Sequence, residues 1–253
     1  KNTISFLERM EMSTLEKEWT VPQSFPDLTD SKYIAIDLET SDPNLLELGP
    51  GWTRNDGFIV GVAIAAGDFV GYYPFRHEGG GNMDKNMVLK WFQDVLNTDS
   101  LKIFHNAMYD VCFIRAAGLK INGTIVDTMI AGSLVDENRF RYDLGSMGRD
   151  YLGVGKNEAV LKETAELWGV DAKSEMYKLP AMYVGEYAEQ DADLTLKLWQ
   201  EMKKEIINQD LEDIFDLESD LFHCLVDMRF KGVRVDIERA HKMKKELILI
   251  IRA

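Results

Sequence analysis

An α/β fold, with a mixed sheet of antiparallel and parallel strands flanked by helices and a helical C-terminal extension, is predicted for this 253-residue chain. Three observations carry the prediction. Apolar runs rich in β-branched and aromatic residues occupy 33–38, 58–66 and 69–74, each bounded by turn-forming residues. A two-residue Gly67-Asp68 step joins the second and third runs, which makes them a hairpin. Beyond residue 105 the apolar spacing changes to that of amphipathic helices, and helical segments dominate.

Taken in order, residues 1–30 mix short apolar patches with charge and contain Pro22 and Pro26, so they read as a lead-in segment. Tyr33-Ile34-Ala35-Ile36-Asp37-Leu38-Glu39-Thr40 reads as a buried strand between Asp30-Ser31 and Ser41-Asp42-Pro43. Leu45 to Asn55 reads as loop, and the hairpin then extends the first strand into an antiparallel meander. His77 to Asn82, with three successive glycines, is a surface loop. From Asp84 onward, Met87, Val88, Trp91, Phe92, Val95 and Leu96 recur on one face of a helix. Leu101–Phe104 is a fourth strand, and Ala107 to Ala117 a helix ended by Gly118. Further helices are expected around 127–135, 143–152, 158–168 and 180–207.

Composition narrows the function classes. Hydrophobic residues at 45% and charged residues at 28% are ordinary for a globular protein, and the length allows one sizeable core plus a small second module. A formal net charge of −14 speaks against a protein that coats nucleic acid, though not against one gripping a few phosphates through metal ions. Cys112 and Cys224 are too far apart and too few for a disulfide framework or a zinc site. The longest apolar run, Phe58 to Ala66, is too short to span a bilayer, and the first residues lack a signal-peptide core. A cytoplasmic protein without a membrane partner is expected.

Three stretches carry chemistry. Side chains alternate along a strand, so Asp37 and Glu39 point the same way at the end of an apolar run, with no Lys or Arg between Tyr33 and Pro43. Two such carboxylates need a distant cation or a hard divalent metal ion; the plainer reading is a pair of acids at a loop. Asp110 lies one turn into the helix that follows His105-Asn106, among apolar Met108, Val111 and Phe113; the plainer reading there is a first-turn acid favoured by the helix dipole. His105 is assigned no ligand role. On a late helix Tyr187 and Asp191 share a face at i, i+4, whereas Asp193 lies on the far side. A solvated helix acid is the plainer reading of Asp191 alone.

Together, Asp37-x-Glu39, Asn106-x-x-x-Asp110 and Tyr187-x-x-x-Asp191, separated by roughly seventy to eighty residues, resemble the DEDD 3′→5′ exonucleases of the tyrosine subclass. The likeness is strongest to the proofreading domain of family A DNA polymerases of bacterial and phage type, over residues 31 to about 205. Leu217 to Asp236 resembles the helix-to-turn segment that opens the polymerase module, and the sequence ends at Ala253 before any polymerase active-site motif. The resemblance implies a ribonuclease H-like fold and three regions: 1–30 lead-in, 31–205 exonuclease, 206–253 the helical start of a polymerase module.

It also implies hydrolysis with two divalent ions, Mg²⁺ with Mn²⁺ able to substitute, releasing 5′-mononucleotides from a single-stranded or frayed DNA 3′ end. Asp37, Glu39, Asp110 and Asp191 would be the metal ligands, with Asp37 bridging both ions. Tyr187 would orient the attacking water, and Thr40, Asn106 and Tyr109 would contact the terminal nucleotide. A polymerase body, in the same chain or a separate one, would be the partner. Two alternatives stand beside this reading: a ribonuclease D-like RNA exonuclease, and a non-catalytic docking module, whose mark would be a missing acid. No acid is missing. The family's strand-separating leucine is left unassigned, Leu45 and Leu46 being nearest. Arg139, Arg141, Arg149 and Lys156 form the densest basic run near the expected strand path; each singly reads as solvated surface. Gly153-Val154-Gly155-Lys156 lacks the remainder of a phosphate loop.

Overall fold

The computed structural model describes residues 19–252; the first eighteen residues of the lead-in, and Ala253, lie outside the described residues. A five-stranded sheet holds the molecule together. Its strands are β1 (Tyr33–Ser41), β2 (Phe58–Ala66), β3 (Phe69–Pro74), β4 (Leu101–Phe104) and β5 (Ile125–Asp127), in the order β3-β2-β1-β4-β5. β1, β2 and β3 form the antiparallel meander, while β4 runs parallel to β1 and β5 parallel to β4. β1 is therefore central, paired on both edges. The hairpin turns at Gly67, whose φ of +59° lies in the left-handed region that glycine enters without cost.

The helices follow in chain order. They are α1 (Leu45–Leu48), α2 (Lys85–Asn97), α3 (Ala107–Ala116), α4 (Thr128–Val135), α5 (Leu144–Leu152), α6 (Ala159–Trp168), α7 (Gly185–Asn208), α8 (Glu212–Lys231) and α9 (Ile237–Arg252). The expected elements are present, with three differences. The 45–55 stretch is not wholly loop: it makes the one-turn α1 and a 3-10 turn at Gly51–Thr53. β5 is a strand that the sequence reading missed, because three residues are too few to display a period. The long helix begins at Gly185, after a separate 3-10 turn at Ala181–Tyr183 that follows Pro180.

Strand alternation sorts the core into two layers. Ile34, Ile36 and Leu38 of β1 pack with Phe92 of α2, Phe113 of α3, and Phe222 and Val226 of α8. Ala35 of β1, Ala63 of β2 and Ile103 of β4 face the other layer, against Ala188, Ala192 and Trp199 of α7. The small residues Ala35 and Ala63, opposite Ala188 and Ala192, let α7 lie close to the sheet. Asp37 and Glu39 continue the Ala35 row, so the same phase that builds this layer aims both acids at α7.

One irregularity matters for the site. Glu39 pairs with Gly61, but Thr40 pairs with Ile59, so Val60 is an extra residue on β2 and makes a β-bulge. The Val60 carbonyl accepts N–H groups from both Phe75 and Arg76 at 2.9 and 3.0 Å, tying the chain that leaves β3 to the bulge.

The lead-in from residue 19 has no helix or strand, yet Phe25 stacks on Tyr73 and the Trp91 indole donates to Pro26 O at 2.9 Å. α8 wraps the β5 edge, and its Phe230 stacks on Trp52 with 4.4 Å between ring centroids. Residues 231–251, including the described part of α9, are exposed throughout, Leu249, Ile250 and Ile251 among them. Cys112 is buried and Cys224 exposed, and both are free. Among the described residues no helix is long and apolar enough to cross a membrane.

Candidate active site

The C-terminal half of β1, the first turn of α3 and the first two turns of α7 meet beside the bulge, and each brings carboxyls to one place. Asp37 is half-buried and Glu39 buried on β1. Asp110 is 5% exposed, and its Oδ1 accepts the Leu38 N–H at 3.1 Å, which fixes α3 against the back of β1. Asp191 is 4% exposed on the sheet-facing side of α7. Asp193 stands away from the group and pairs with Lys197, one turn along α7, in a 2.5 Å ion pair, as the helix phase requires.

The four acids repel one another. Burial, and after it the charge of Asp191, pushes the Asp37 carboxyl up to about 7. Burial followed by the charges of Asp37 and Asp191 holds Glu39 well above the ordinary carboxylate range. Asp110 is likewise raised, by burial and then Asp37, against the opposing Leu38 hydrogen bond. Asp191 is raised by burial, with Lys156 working against it. Among the described residues, Glu39 Oε1 and Asp191 Oδ1 are buried with no hydrogen-bond partner. A buried carboxylate oxygen without a donor is costly, so a cluster holding two of them has an unmet demand for positive charge.

Lys156 meets part of that demand. Its Nζ lies 2.6 Å from Asp191 Oδ2 and 3.5 Å from the Tyr187 hydroxyl. Burial acts to lower its pKa, but the charges of Asp191, Asp37 and Glu39 outweigh burial and hold the ammonium above its usual value. Its expected place on a solvated surface is thus corrected: Lys156 reaches from the α5–α6 loop into the acids. No periodic signal marks a loop residue whose partner lies 35 positions away. The other three basic residues of that run stay outside, with Arg139 paired to Asp150 at 2.6 Å and Arg149 donating to the Ser146 hydroxyl at 3.2 Å.

Tyr187 is half-buried one turn before Asp191, and burial and then the Asp191 charge push its hydroxyl far above the ordinary tyrosine value. It is held as a donor and cannot serve as a base at neutral pH. Tyr72 reaches the same acids from beneath. Its pKa is raised by burial, then by Glu39 and Asp37, and its hydroxyl bonds His77 Nε2 at 2.6 Å. Gly61, opposite Glu39, makes this possible, since a β-carbon there would collide with the Tyr72 hydroxyl.

The three residues expected at the terminal nucleotide lie along the rim. The Thr40 and Tyr109 hydroxyls are 2.9 Å apart, and Tyr109 also donates to Asp42 Oδ2 at 3.1 Å. Asp42 in turn accepts the Gly51 N–H. Asn106 is exposed and takes a left-handed conformation (φ 62°), which is uncommon for any residue but glycine. Asp127, at the end of β5, is what holds it there: the carboxylate accepts N–H groups of Asn106, Ala107 and Met129 at 2.9, 2.8 and 2.8 Å. Asp127 thus caps α3 and α4 together, a role the sequence reading did not see. Of the two leucines nearest the wedge position, Leu46 is fully exposed and Leu45 only partly, at 37%. His105 is half-buried with Nδ1 on the Thr128 hydroxyl at 2.8 Å, and makes no contact with the acids.

A divalent cation fits this donor set: four carboxyls, two orphaned oxygens, and carboxyl pKa values raised by burial first and by neighbouring carboxyls second. As they stand, though, no three of the described acids are arranged to hold one ion together.

Comparison with known proteins places the chain. A family model described as a 3′-5′ exonuclease matches residues 13–207. A DNA-directed DNA polymerase of Pseudomonas phage M6 is 35% identical over 250 residues, covering 96% of this chain and 38% of that protein. The chain therefore spans under two fifths of that relative's length. Among solved structures, the POL domain of Pol1 from M. smegmatis, in complex with DNA primer-template and dNTP, shares the fold with a TM-score of 0.60 at 16% identity, covering 88% of this chain and 33% of that one. Brucella melitensis NrnC with bound Mg²⁺ gives a TM-score of 0.56 at 20% identity, covering 82% of this chain and 90% of that one.

Proposed function

We propose a function from one premise: the chain belongs to the 3′-5′ exonuclease family, related to family A DNA polymerases of phages and bacteria. On this reading it removes 5′-mononucleotides from the 3′ end of DNA, as the proofreading part of a family A polymerase. The observation that carries the proposal is the gathering of Asp37, Glu39, Asp110 and Asp191 from three separate elements, with two buried oxygens left unpartnered. A fold alone does not demand such an arrangement; it suits a metal-dependent phosphodiester hydrolase.

Asp37, Glu39, Asp110 and Asp191 are the residues that would hold two divalent ions, Mg²⁺ or Mn²⁺. When bound, the ions supply the Lewis acidity and charge neutralisation that phosphodiester hydrolysis needs. The protein's own share is positional. Asp110 is held in place by the Leu38 N–H on its Oδ1. Tyr187, locked as a proton donor, orients the attacking water through its hydroxyl. Tyr109 has its hydroxyl engaged by Thr40 and Asp42, which leaves the ring edge for the sugar or base of the last nucleotide. The side chain of Asn106, displayed by the left-handed turn, has two donors for the same nucleotide.

The regional division is proposed as well: 31–205 as the nuclease and 206–253 as the start of a polymerase module, with the rest of the polymerase as partner and the bacterial or phage-infected cytoplasm as the setting. The length relation to the phage polymerase supports it.

Digestion of a 5′-labelled single-stranded DNA oligonucleotide, with Mg²⁺ or Mn²⁺ and with EDTA, tests the proposal. A ladder shortening from the 3′ end, seen only with metal, is the expected result. Cleavage confined to a parallel RNA oligonucleotide would overturn the substrate assignment, and no cleavage of either by the folded protein would overturn the activity.

A further inference from the structure

We propose that Lys156 is a built-in competitor of the metal at Asp191, so that metal loading is an exchange of ammonium for ion, not the filling of a waiting cage. The inference rests on the metal-dependent reading above and goes beyond it by assigning a residue that sets metal affinity.

The ammonium occupies the acid cluster itself, 2.6 Å from Asp191 Oδ2 with the lysine side chain only 20% exposed. The cluster, meanwhile, lacks three acids in ligand geometry. While Lys156 holds Asp191 Oδ2 in a charge-assisted hydrogen bond, a metal ion must compete with the ammonium for that oxygen, and Oδ1 alone stays open. The two unpartnered oxygens, Glu39 Oε1 and Asp191 Oδ1, show that the lysine answers only part of the demand. One monovalent charge among four carboxyls leaves room for a divalent ion to win.

The surrounding chain is built for the exchange. The backbone on either side of Lys156 is tied down independently of the ammonium, through Val154 N–H to Gly148 O at 3.2 Å and Asn157 N–H to Gln190 Oε1 at 2.8 Å. The side chain can therefore swing out while the loop stays in place. In the same position Nζ also lies 5.3 Å from the centroid of the Tyr187 ring, so displacement of the ammonium would be felt at Tyr187 as well as at Asp191. Nearby cations are committed elsewhere: Arg139 to Asp150, and Lys162 to Glu158 at 2.6 Å.

The test is Mn²⁺ binding to the metal-stripped chain without any nucleic acid, read by calorimetry and by the free-Mn²⁺ resonance signal, with melting temperature alongside. Lys156→Met is expected to bind Mn²⁺ roughly ten-fold more tightly than wild type, the scale of one charge-assisted hydrogen bond. Its metal-free form should melt lower than wild type, and its Mn²⁺-saturated form should recover that loss. Lys156→Arg, which keeps the charge, and Lys162→Met, which removes a neighbouring charge that does not touch the acids, should both stay within about two-fold of wild type. If wild type binds Mn²⁺ and Lys156→Met binds it no more tightly, Lys156 is not a competitor, and the metal-dependent reading stands without it. An equal gain in Lys162→Met would reduce the effect to general electrostatics and overturn the proposal too. If neither wild type nor Lys156→Met binds Mn²⁺ at millimolar concentration, the metal site itself is refuted.

Discussion

Asp127 and Asp191 are both buried carboxylates close to the same sheet, 7% and 4% exposed, and they lead opposite lives. Asp127 accepts three backbone N–H groups from two helix starts, so its charge is spread over donors that themselves needed an acceptor. Asp191 has one lysine, the Tyr187 hydroxyl beside it, and one oxygen without a hydrogen-bond partner. The same residue type, buried to the same degree, is architecture in one place and unspent chemical capacity in the other. What separates them is whether the backbone satisfies the charge. Burial alone does not distinguish a functional acid.

The contrast can be broken at either end. The largest effect is expected from Asp37→Ala, which should lower exonuclease turnover by roughly a thousand-fold or more, as the proposed two-ion site requires of its shared ligand. Because it removes a repelling charge, its metal-free stability should be equal to or above wild type in urea unfolding. Collapse of stability together with activity would make Asp37 another Asp127.

Asp127→Ala should do the reverse. Loss of a double cap, with buried N–H groups left unpaired, is worth about 2–4 kcal/mol in the same unfolding measurement. Turnover per folded molecule should fall far less than in Asp37→Ala. A neutral Asp127→Ala would mean that the helix starts find other acceptors.

A smaller effect is expected from the layer beneath the acids. Burial pushes His77 down to about 4, from an ordinary value near 6.5. Between those values the unfolded chain binds a proton that the folded chain refuses, so stability is lost as pH falls from about 6.5 towards 4. The slope is at most about 1.4 kcal/mol per pH unit. His77→Gln should lack that share of the slope when unfolding is compared across this range in EDTA; identical slopes would show that His77 is charged in the fold. The smallest effect belongs to Asp193→Ala. Its 2.5 Å pair with Lys197 is surface-exposed, and both stability and turnover should stay within about 0.5 kcal/mol of wild type. A severe Asp193 defect beside a mild Asp191 one would invert the assignment on α7.

Much of this site was legible in the sequence because the acids sit on periodic elements. Strand alternation puts Asp37 and Glu39 on one face, and helix phase separates Asp191 from Asp193. The same periodicities disclosed β1 to β4 and nearly all the helices. The residues that escaped lie where no period exists. Lys156 is in a loop, and its partner is chosen by tertiary folding. Asp127 closes a three-residue strand too short to register, and its partners are backbone amides that no sequence displays. Tyr72 reads as an ordinary aromatic of a hairpin until Gly61, on the neighbouring strand, is seen to clear space for its hydroxyl.

The bulge at Val60 has a consequence for how this protein tolerates insertions and deletions. Up to Glu39 the register with β2 is unbroken from Ala35. A single-residue indel there would exchange the faces of the strand and put Leu38 where the acids stand. Past the bulge the pairing is offset by one, and Asp42 closes the following loop by binding the Gly51 amide. The span between those two anchors, which includes the exposed Leu46, is tied only within its own loop, by Asn44 to Asp56 and by Arg54 to the Leu48 and Gly49 carbonyls, so it can gain or lose residues without pulling on β1. Length variation in this segment should therefore collect at 43–50 and be absent from 35–39, with the bulge as the boundary between a frame that cannot slip and a rim free to be remodelled.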